Sequence, residues 1–381
     1  MSRVHAVLLF ALAALVATPA AATKYAGEFL KVPVGPRAIA MGGAFSAVAD
    51  DATAPFWNPA GMIYLPYREV VFQHAERFGN LLNQDYLSAV FPLGGPDGHQ
   101  SALGVSAVRL AVDDIPITPR GDQLRAPEDF DDSGPDGDPF TPDPGQGNGR
   151  WDPGERLRLS PDALYLASSS DLAVHISYAR HRGRHWAFGA SVKFVRQSIP
   201  SSETRYDTLA HRVTDVGRAT SFGMGLDAAA LWMPRDAVTL SVMARDLTTT
   251  YLAWSNGTRE IVAPTLTTGA AFAFKPAERH ALTWALDLAW GFEGRALDSQ
   301  IVMGAVTADV RTGLEYWYRN LLALRAGAEA KDLAFGAGLR YKQLGVDYAA
   351  SLHRFLAADD DRFPDDADLD VTHLVALGVS W

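Results

Sequence analysis

From Tyr67 onward, apolar and polar residues alternate one by one along most of the chain. In "HWAFGASVKFVRQS", Trp186, Phe188, Ala190, Val192 and Phe194 fall on one face, with Gly189, Ser191 and Lys193 on the other. "RTGLEYWYRN" sets Leu314, Tyr316 and Tyr318 against Arg311, Glu315 and Arg319. "LAFGAGLRYKQ" sets Phe335, Ala337, Leu339 and Tyr341 against Gly336, Gly338, Arg340 and Lys342. A period of two is the signature of a strand. About fourteen such segments follow one another, near 67–76, 85–93, 99–112, 163–180, 186–199, 220–233, 237–246, 264–275, 280–292, 300–318, 321–330, 332–341, 344–355 and 370–381. Many reach the roughly ten residues that a tilted membrane-crossing strand requires.

The connections sort by parity. The second, fourth, sixth, eighth, tenth and twelfth are tight: "GGPDG", "HRGRH", "MPRDA", "KPAERH", "RNL" and "KQL". Several of the others are long, at 113–162, 200–219, 247–263 and 356–369, with "AKD" at 330–332 the short exception. A soluble sandwich has no reason to segregate its loops in this way. A membrane barrel does, with short turns on one side and long loops on the other. Lipid offers no hydrogen-bond partners, so a sheet within it has to close on itself and leave no edge. The expected fold is therefore all-β, a transmembrane antiparallel up-and-down β-barrel of about 14 strands over 67–381, with 113–162 as a long acidic extracellular loop. Mean hydropathy near zero (−0.03) agrees, because only one face of each strand meets lipid.

Composition sharpens this. Arg3 and His5 precede the apolar run Val7–Val16, and "TPAAA" follows, which reads as a signal peptide over 1–22 cleaved near Ala22. Removing it takes away one positive charge and no acid, so the net charge goes from −10 to −11. That balance argues against nucleic acid as a partner. An exported chain without cysteine must be stable without disulfides. The end "HLVALGVSW" places Val375, Leu377 and Val379 on one face with the terminal Trp381. Such a strand reads as the signal for the outer-membrane assembly machinery of a Gram-negative-type bacterium.

The ordered motifs "GPRAIAMGGAFSAVADDATAPFWNPAGM", "DLTTTYLAWSNGTREIVAPTLTTG", "RTGLEYWYRNLLALRAGAEA", "FGAGLRYKQLGVDYA" and "THLVALGVSW" span nearly the whole mature chain. In them the chain resembles the FadL superfamily of outer-membrane proteins, and within it the PorV/PorQ-like branch. The resemblance implies a barrel closed by an N-terminal luminal plug containing short helices. It implies one of two roles. FadL-type members admit hydrophobic, fatty-acid-like small molecules by passive uptake. PorV-type members act without transport as shuttles or assembly partners for secreted proteins. Neither role is enzymatic, and no G-x-S-x-G element is present. The first role is the expected one, with outer-membrane lipid and a hydrophobic ligand as partners, and secreted proteins in the alternative.

Candidate site residues follow. Residues 23–66 are the candidate plug, and its hatch residues are Gly42, Gly43, Asp50, Asp51, Asn58, Pro59, Ala60 and Gly61. The glycines suit kinks, Asp50 and Asp51 suit a helix start, and Asn58-Pro59 reads as an N-cap followed by a first-turn proline. Phe45, Phe56, Trp57 and Met62 are candidates to line an apolar ligand. Arg311, Glu315, Arg319, Arg325, Glu329, Arg340 and Asp347 are expected to face the lumen. They read first as cross-strand ion pairs. Alternatively, Arg311, Arg325 and Arg340 orient a ligand's carboxylate. In "DPGQGNGRWDPGE", Asn148, Asp152 and Glu155 have spacings like those of a calcium loop, with Asp143 one place early. No cofactor is expected beyond Ca²⁺ in this 143–155 loop, the other reading being a solvated acidic loop. His175, His181 and His185 lack a nearby carboxylate spacing and are a weak metal candidate.

Overall fold

A computed structural model describes residues 27–77, 81–95, 98–120, 123–124, 129–134, 136, 138, 140, 144–158, 164–207, 209, 212–292, 299–330, 332–353 and 371–381. The leader lies outside these residues. The strands are β1 (Glu69–Arg77), β2 (Leu82–Gly95), β3 (Gly98–Ile117), β4 (Tyr165–Arg182), β5 (Trp186–Asp207), β6 (Arg212–Arg235), β7 (Val238–Arg245), β8 (Thr250–Trp254), β9 (Arg259–Val262), β10 (Thr265–Ala277), β11 (His280–Gly291), β12 (Ile301–Met303), β13 (Val306–Tyr318), β14 (Leu322–Glu329), β15 (Asp332–Tyr341), β16 (Leu344–Leu352) and β17 (Val371–Ser380).

Fourteen of them form a closed antiparallel ring. β1 to β7 follow in order, β7 pairs with β10, β10 with β11, β11 with β13, and β13 to β17 follow in order. β17 then pairs with β1, from Glu69 opposite Ser380 to Glu76 opposite His373. The remaining three strands are additions. β8 and β9 form a hairpin within the expected 247–263 loop, and β8 pairs with β6. The segment read as one strand over 300–318 is a hairpin, β12–β13, turning at Gly304 with φ 65. The expected 200–219 loop is mostly strand, because β5 runs to Asp207 and β6 begins at Arg212. Its charged alternation, without an apolar face, hid its period. On either side of "AKD", Glu329 on β14 lies opposite Asp332 on β15. Arg319 does not face the lumen: it takes φ 55 in the β13–β14 turn.

The chain divides into two compact units. The first takes the described residues of Met1–Leu110, Asp171–Arg196 and Ser221–Trp381, and contains the closed ring. The second takes those of Ala111–Ser170 and Gln197–Thr220, the far ends of β3 to β6 with the long acidic segment between β3 and β4. It is tied together by Tyr206, whose hydroxyl meets both carboxylate oxygens of Asp129 at 3.0 Å, and by Gln123 Nε2 donating to the Thr204 carbonyl at 2.9 Å. Phe130 is fully buried and forms an isolated bridge with Leu157.

The ring is inside out relative to a soluble protein. Along β5, Trp186, Phe188 and Ala190 face outward, while Ala187, Gly189, Ser191, Lys193 and Val195 are buried inward. Leu377 is 57% exposed and Lys193 is 2% exposed. Outward Phe72, Leu87, Leu103, Phe335, Val375, Leu377 and Val379 form an apolar belt. Trp186 stacks on Trp232 at 5.6 Å beside the tight turns, as expected of aromatic residues at a membrane interface. No helix among the described residues is long and apolar enough to cross a membrane.

Candidate functional site

The chain before β1 packs against inward-facing residues of the ring strands. Residues 27–65 form four short turns: Glu28–Lys31 and Pro59–Tyr64 as 3₁₀, and Pro36–Ala40 and Ala54–Trp57 as α. The punctuation follows the sequence. Asp51 Oδ1 accepts from the Thr53 amide at 2.8 Å, which turns the chain into Ala54–Trp57. Asn58 Oδ1 accepts from the Ala60 amide at 3.0 Å and so caps Pro59–Tyr64, with Pro59 at its first position. Gly42 adopts φ 60, and a Cβ there would run into the backbone of Ala328 on β14. Across that contact, Gly327 leaves no room for a side chain beside Met41 and Gly42. Glycine thus lets backbone meet backbone at the wall.

This segment is hydrogen-bonded to side chains on β1, β7 and β11. The Gly35 amide donates to Gln73 on β1 at 2.5 Å. The amides of Phe45 and Ser46 donate to Asp287 on β11 at 3.1 and 2.8 Å, and the hydroxyls of Ser46 and Ser241 pair at 2.6 Å. Such bonds satisfy irregular backbone that has no ladder of its own. Phe45, Phe56, Trp57 and Met62 are buried. Phe56 meets Trp57, Tyr86 and His175 edge-on at 5.6, 6.3 and 6.2 Å. Trp57 Nε1 donates to the Val34 carbonyl at 2.9 Å. These aromatics and Met62 belong to the buried hydrophobic core.

Charge is concentrated around Arg37, which the sequence reading passed over. Its Nε and Nη2 donate to the two carboxylate oxygens of Glu315 on β13, both at 2.7 Å. Its Nη1 donates to Asp50 at 2.6 Å and Asp51 at 3.0 Å. Glu315 also accepts from Arg325 Nε at 2.7 Å, and Arg325 Nη1 donates to Asp347 at 2.6 Å. Arg311 Nε donates to Glu329 at 2.5 Å. Burial disfavours the Asp51 carboxylate, but Arg37 and Thr53 outweigh it and hold the group below the usual carboxylate range. Burial likewise opposes charge on Arg37, yet Asp50, Glu315 and Asp51 hold its guanidinium well above its ordinary value. Arg311 and Arg325 are thus already neutralised by the wall. Arg340 lies 5.3 Å from the Trp317 ring centre instead. A second buried cluster was not foreseen. Lys193 meets Asp246 at 2.8 Å and Asp227 at 3.3 Å, beside a cavity of about 30 Å³ that Phe56, His175 and Arg245 also line. Lysine and aspartate at inward positions of alternating strands were the available signal.

A larger cavity, about 460 Å³, opens at the end of the ring that carries the long loops. Phe29, Val32, Pro33, Ile39, Leu110 and Leu333 supply apolar walls, with Gly42 and Gly43 at its inner side and Arg77, Glu329 and His353 among its polar groups. Its volume lies within the range of roughly 300–1,000 Å³ usual for small-molecule sites. Of the residues expected to line a ligand, Phe45, Trp57, Met62, Arg311, Arg325 and Arg340 border neither cavity, and Phe56 borders the small one.

In the acidic segment, Asp143 lies outside the described residues. Asn148 Nδ2 donates to Asp152 at 2.8 Å, and Glu155 accepts from the amides of Gly134 and Asp152 at 2.9 and 2.8 Å. Asp132, not foreseen, accepts from the amides of Asn148 and Gly149. These side chains fold the loop on itself. His181 and His185 flank the β4–β5 turn, while His175 is buried in the lumen. Among the described residues, no group of three or more His, Cys, Asp and Glu is placed to hold a metal.

No family model and no curated protein matches the chain. Solved structures do. The toluene transporter TodX of P. putida covers 91% of this chain and 98% of its own length, with 13% identity and a TM-score of 0.54. The CymD monoaromatic hydrocarbon channel covers 92% and 98%, with 12% identity and a TM-score of 0.52. The fourteen-strand ring is therefore a fold that this chain shares with hydrocarbon channels.

Proposed function

We propose that the protein belongs to the FadL superfamily and carries hydrophobic small molecules passively across a bacterial outer membrane. The observation that supports this best is the loop-end cavity. It is largely apolar, it has the size of a small-molecule site, and its inner side is the luminal segment. A ligand leaving bulk water would gain about 25 cal/mol for each Å² of apolar surface buried there. The route inward passes the luminal segment, so this segment acts as a plug that has to rearrange. The wall from β7 through β10, β11 and β13–β17 to β1 and β2 is laddered pair by pair, so a sideways exit there would require breaking backbone hydrogen bonds. The hydrocarbon cargoes printed for TodX and CymD support the chemical class.

The test is uptake by proteoliposomes. Purified protein in liposomes should accelerate entry of radiolabelled toluene or dodecanol into an internal trap, saturably, relative to empty liposomes. Equal entry with and without protein, together with a secretion defect on deletion, would overturn this reading in favour of the shuttle role.

A further inference from the structure

The tight turns carry a charge opposite to that of the chain as a whole. The full sequence has a net charge of −10. Yet Arg182, Arg184, Arg235, Arg279, Arg319 and Lys342 stand exposed in or beside the turns β4–β5, β6–β7, β10–β11, β13–β14 and β15–β16. The acids in these five turns are Asp236 and Glu278. Among the described residues, none of the six cations forms an ion pair. The cations gather most closely at one place. Along β4, Ile176, Tyr178, Arg180 and Arg182 are exposed and alternate with buried Ser177 and Ala179, so both arginines continue the lipid-facing side of the strand. β5 lies beside β4, and β6 beside β5. At the same end, Phe188 stacks on Trp186 at 5.9 Å and Trp186 stacks on Trp232 at 5.6 Å. Arg184 lies in the turn that leads into Trp186, and Arg235 follows Trp232 at the end of β6. The Met233 amide donates to the His185 carbonyl at 2.8 Å, which holds the β4–β5 turn against β6. Four arginines and three stacked rings thus share the turn end of three adjacent strands.

We propose that this outer face of β4–β6 is a site for an anionic glycerophospholipid of the inner leaflet, with its phosphate on Arg180 and Arg182 and its acyl chains along Ile176, Tyr178 and Phe188. It depends on the membrane placement of the ring and not on what the ring carries. The short turns of an outer-membrane barrel lie on the periplasmic side, so inner-leaflet headgroups are the ones within reach. Two residues of strand span about 7 Å, which matches the roughly 5–8 Å depth of one headgroup layer. Arginine stems lie along apolar surface while their heads reach the interface, and a guanidinium meets phosphate with two parallel hydrogen bonds. The headgroup has to bring net negative charge. A zwitterionic lipid presents its own ammonium, which four uncompensated arginines repel, whereas an anionic one presents none. An acidic periplasmic protein would meet the turn tips, but it would leave Arg180 and the stacked rings on the lipid side without a role.

The experiment titrates cardiolipin and phosphatidylethanolamine into the detergent-purified protein and reads bound lipid by native mass spectrometry. Wild type is compared with Arg180→Gln/Arg182→Gln, with Arg180→Lys/Arg182→Lys, and with Arg279→Gln/Arg319→Gln, which removes the same charge elsewhere on the rim. Each is checked for heat-resistant migration as a folded barrel. Wild type should bind cardiolipin at least about tenfold more tightly than phosphatidylethanolamine. A basic residue beside an anionic lipid is worth about fivefold, so the β4 glutamine pair should weaken cardiolipin roughly tenfold to thirtyfold. The lysine pair should retain part of that affinity, since it keeps the charge and loses the paired hydrogen bonds. The Arg279/Arg319 pair should stay within about threefold. Equal affinity of wild type for the two lipids would overturn the assignment, and binding of polyglutamate instead would give the surface to an acidic protein. An unchanged β4 glutamine pair, or an equal loss in the Arg279/Arg319 pair, would also overturn it, the latter by reducing the site to the general field of the rim.

Discussion

Replacing Glu315 by Gln tests whether the luminal segment is latched to the wall by charge. Glu315 accepts two bonds from Arg37 and one from Arg325, all at 2.7 Å, in a site closed to solvent. Glutamine keeps the shape and one acceptor oxygen, and it donates where the second oxygen accepted. At least one charge-assisted bond to Arg37 is lost, worth about 1.5–3 kcal/mol, and the remaining bonds lose the anion. Arg37 keeps Asp50 and Asp51, which belong to the luminal segment itself, so the loss falls on attachment to the barrel. Taking about 3 kcal/mol, local release becomes roughly 100-fold more populated, at 1.4 kcal/mol per factor of ten. Hydrogen exchange read by mass spectrometry measures this directly. Peptides over 33–53 should exchange about 100-fold faster, while strand peptides from β10 and β11 keep their protection. Unchanged exchange over 33–53, with a barrel that unfolds at lower temperature, would refute the latch and leave Glu315 as a wall cross-link.

Acid should act in the same place. Asp51 ionises below the usual carboxylate range in the folded state, so its contribution is complete above about pH 4 and is lost as pH falls through its folded value. Protection over 33–53 should thus fall in strong acid, and Asp51→Asn should flatten that fall. Gly327→Val puts methyl groups where Met41 and Gly42 meet the wall, so trypsin should cleave after the released Arg37 while the barrel remains heat-resistant in detergent. Lys193→Met leaves Asp227 and Asp246 facing each other without their cation and should destabilise the folded state by about 3–5 kcal/mol in urea titrations. Adding Asp246→Asn should recover part of that loss.

The period-two alternation in "HWAFGASVKFVRQS" was sufficient to separate the outward Trp186 and Phe188 from the inward Ser191 and Lys193, because pleat geometry admits one arrangement once a single face meets lipid. The count of alternating segments matches the fourteen strands of the ring. Local chemistry also showed through: Asn58-Pro59 caps a turn wherever it lies, since its partner is two residues away. Alternation could not show the β12–β13 hairpin or the outer halves of β5 and β6, where no apolar face marks the period. The pairings across the lumen depended on tertiary structure alone. Arg37 and Glu315 are 278 residues apart and Ser46 and Asp287 are 241 apart, and no spacing along a chain encodes a partner at that distance. For the same reason, sequence marked Arg311 and Arg325 as ligand candidates. Both are arginines at inward strand positions, and only the closed ring shows that carboxylates already neutralise them.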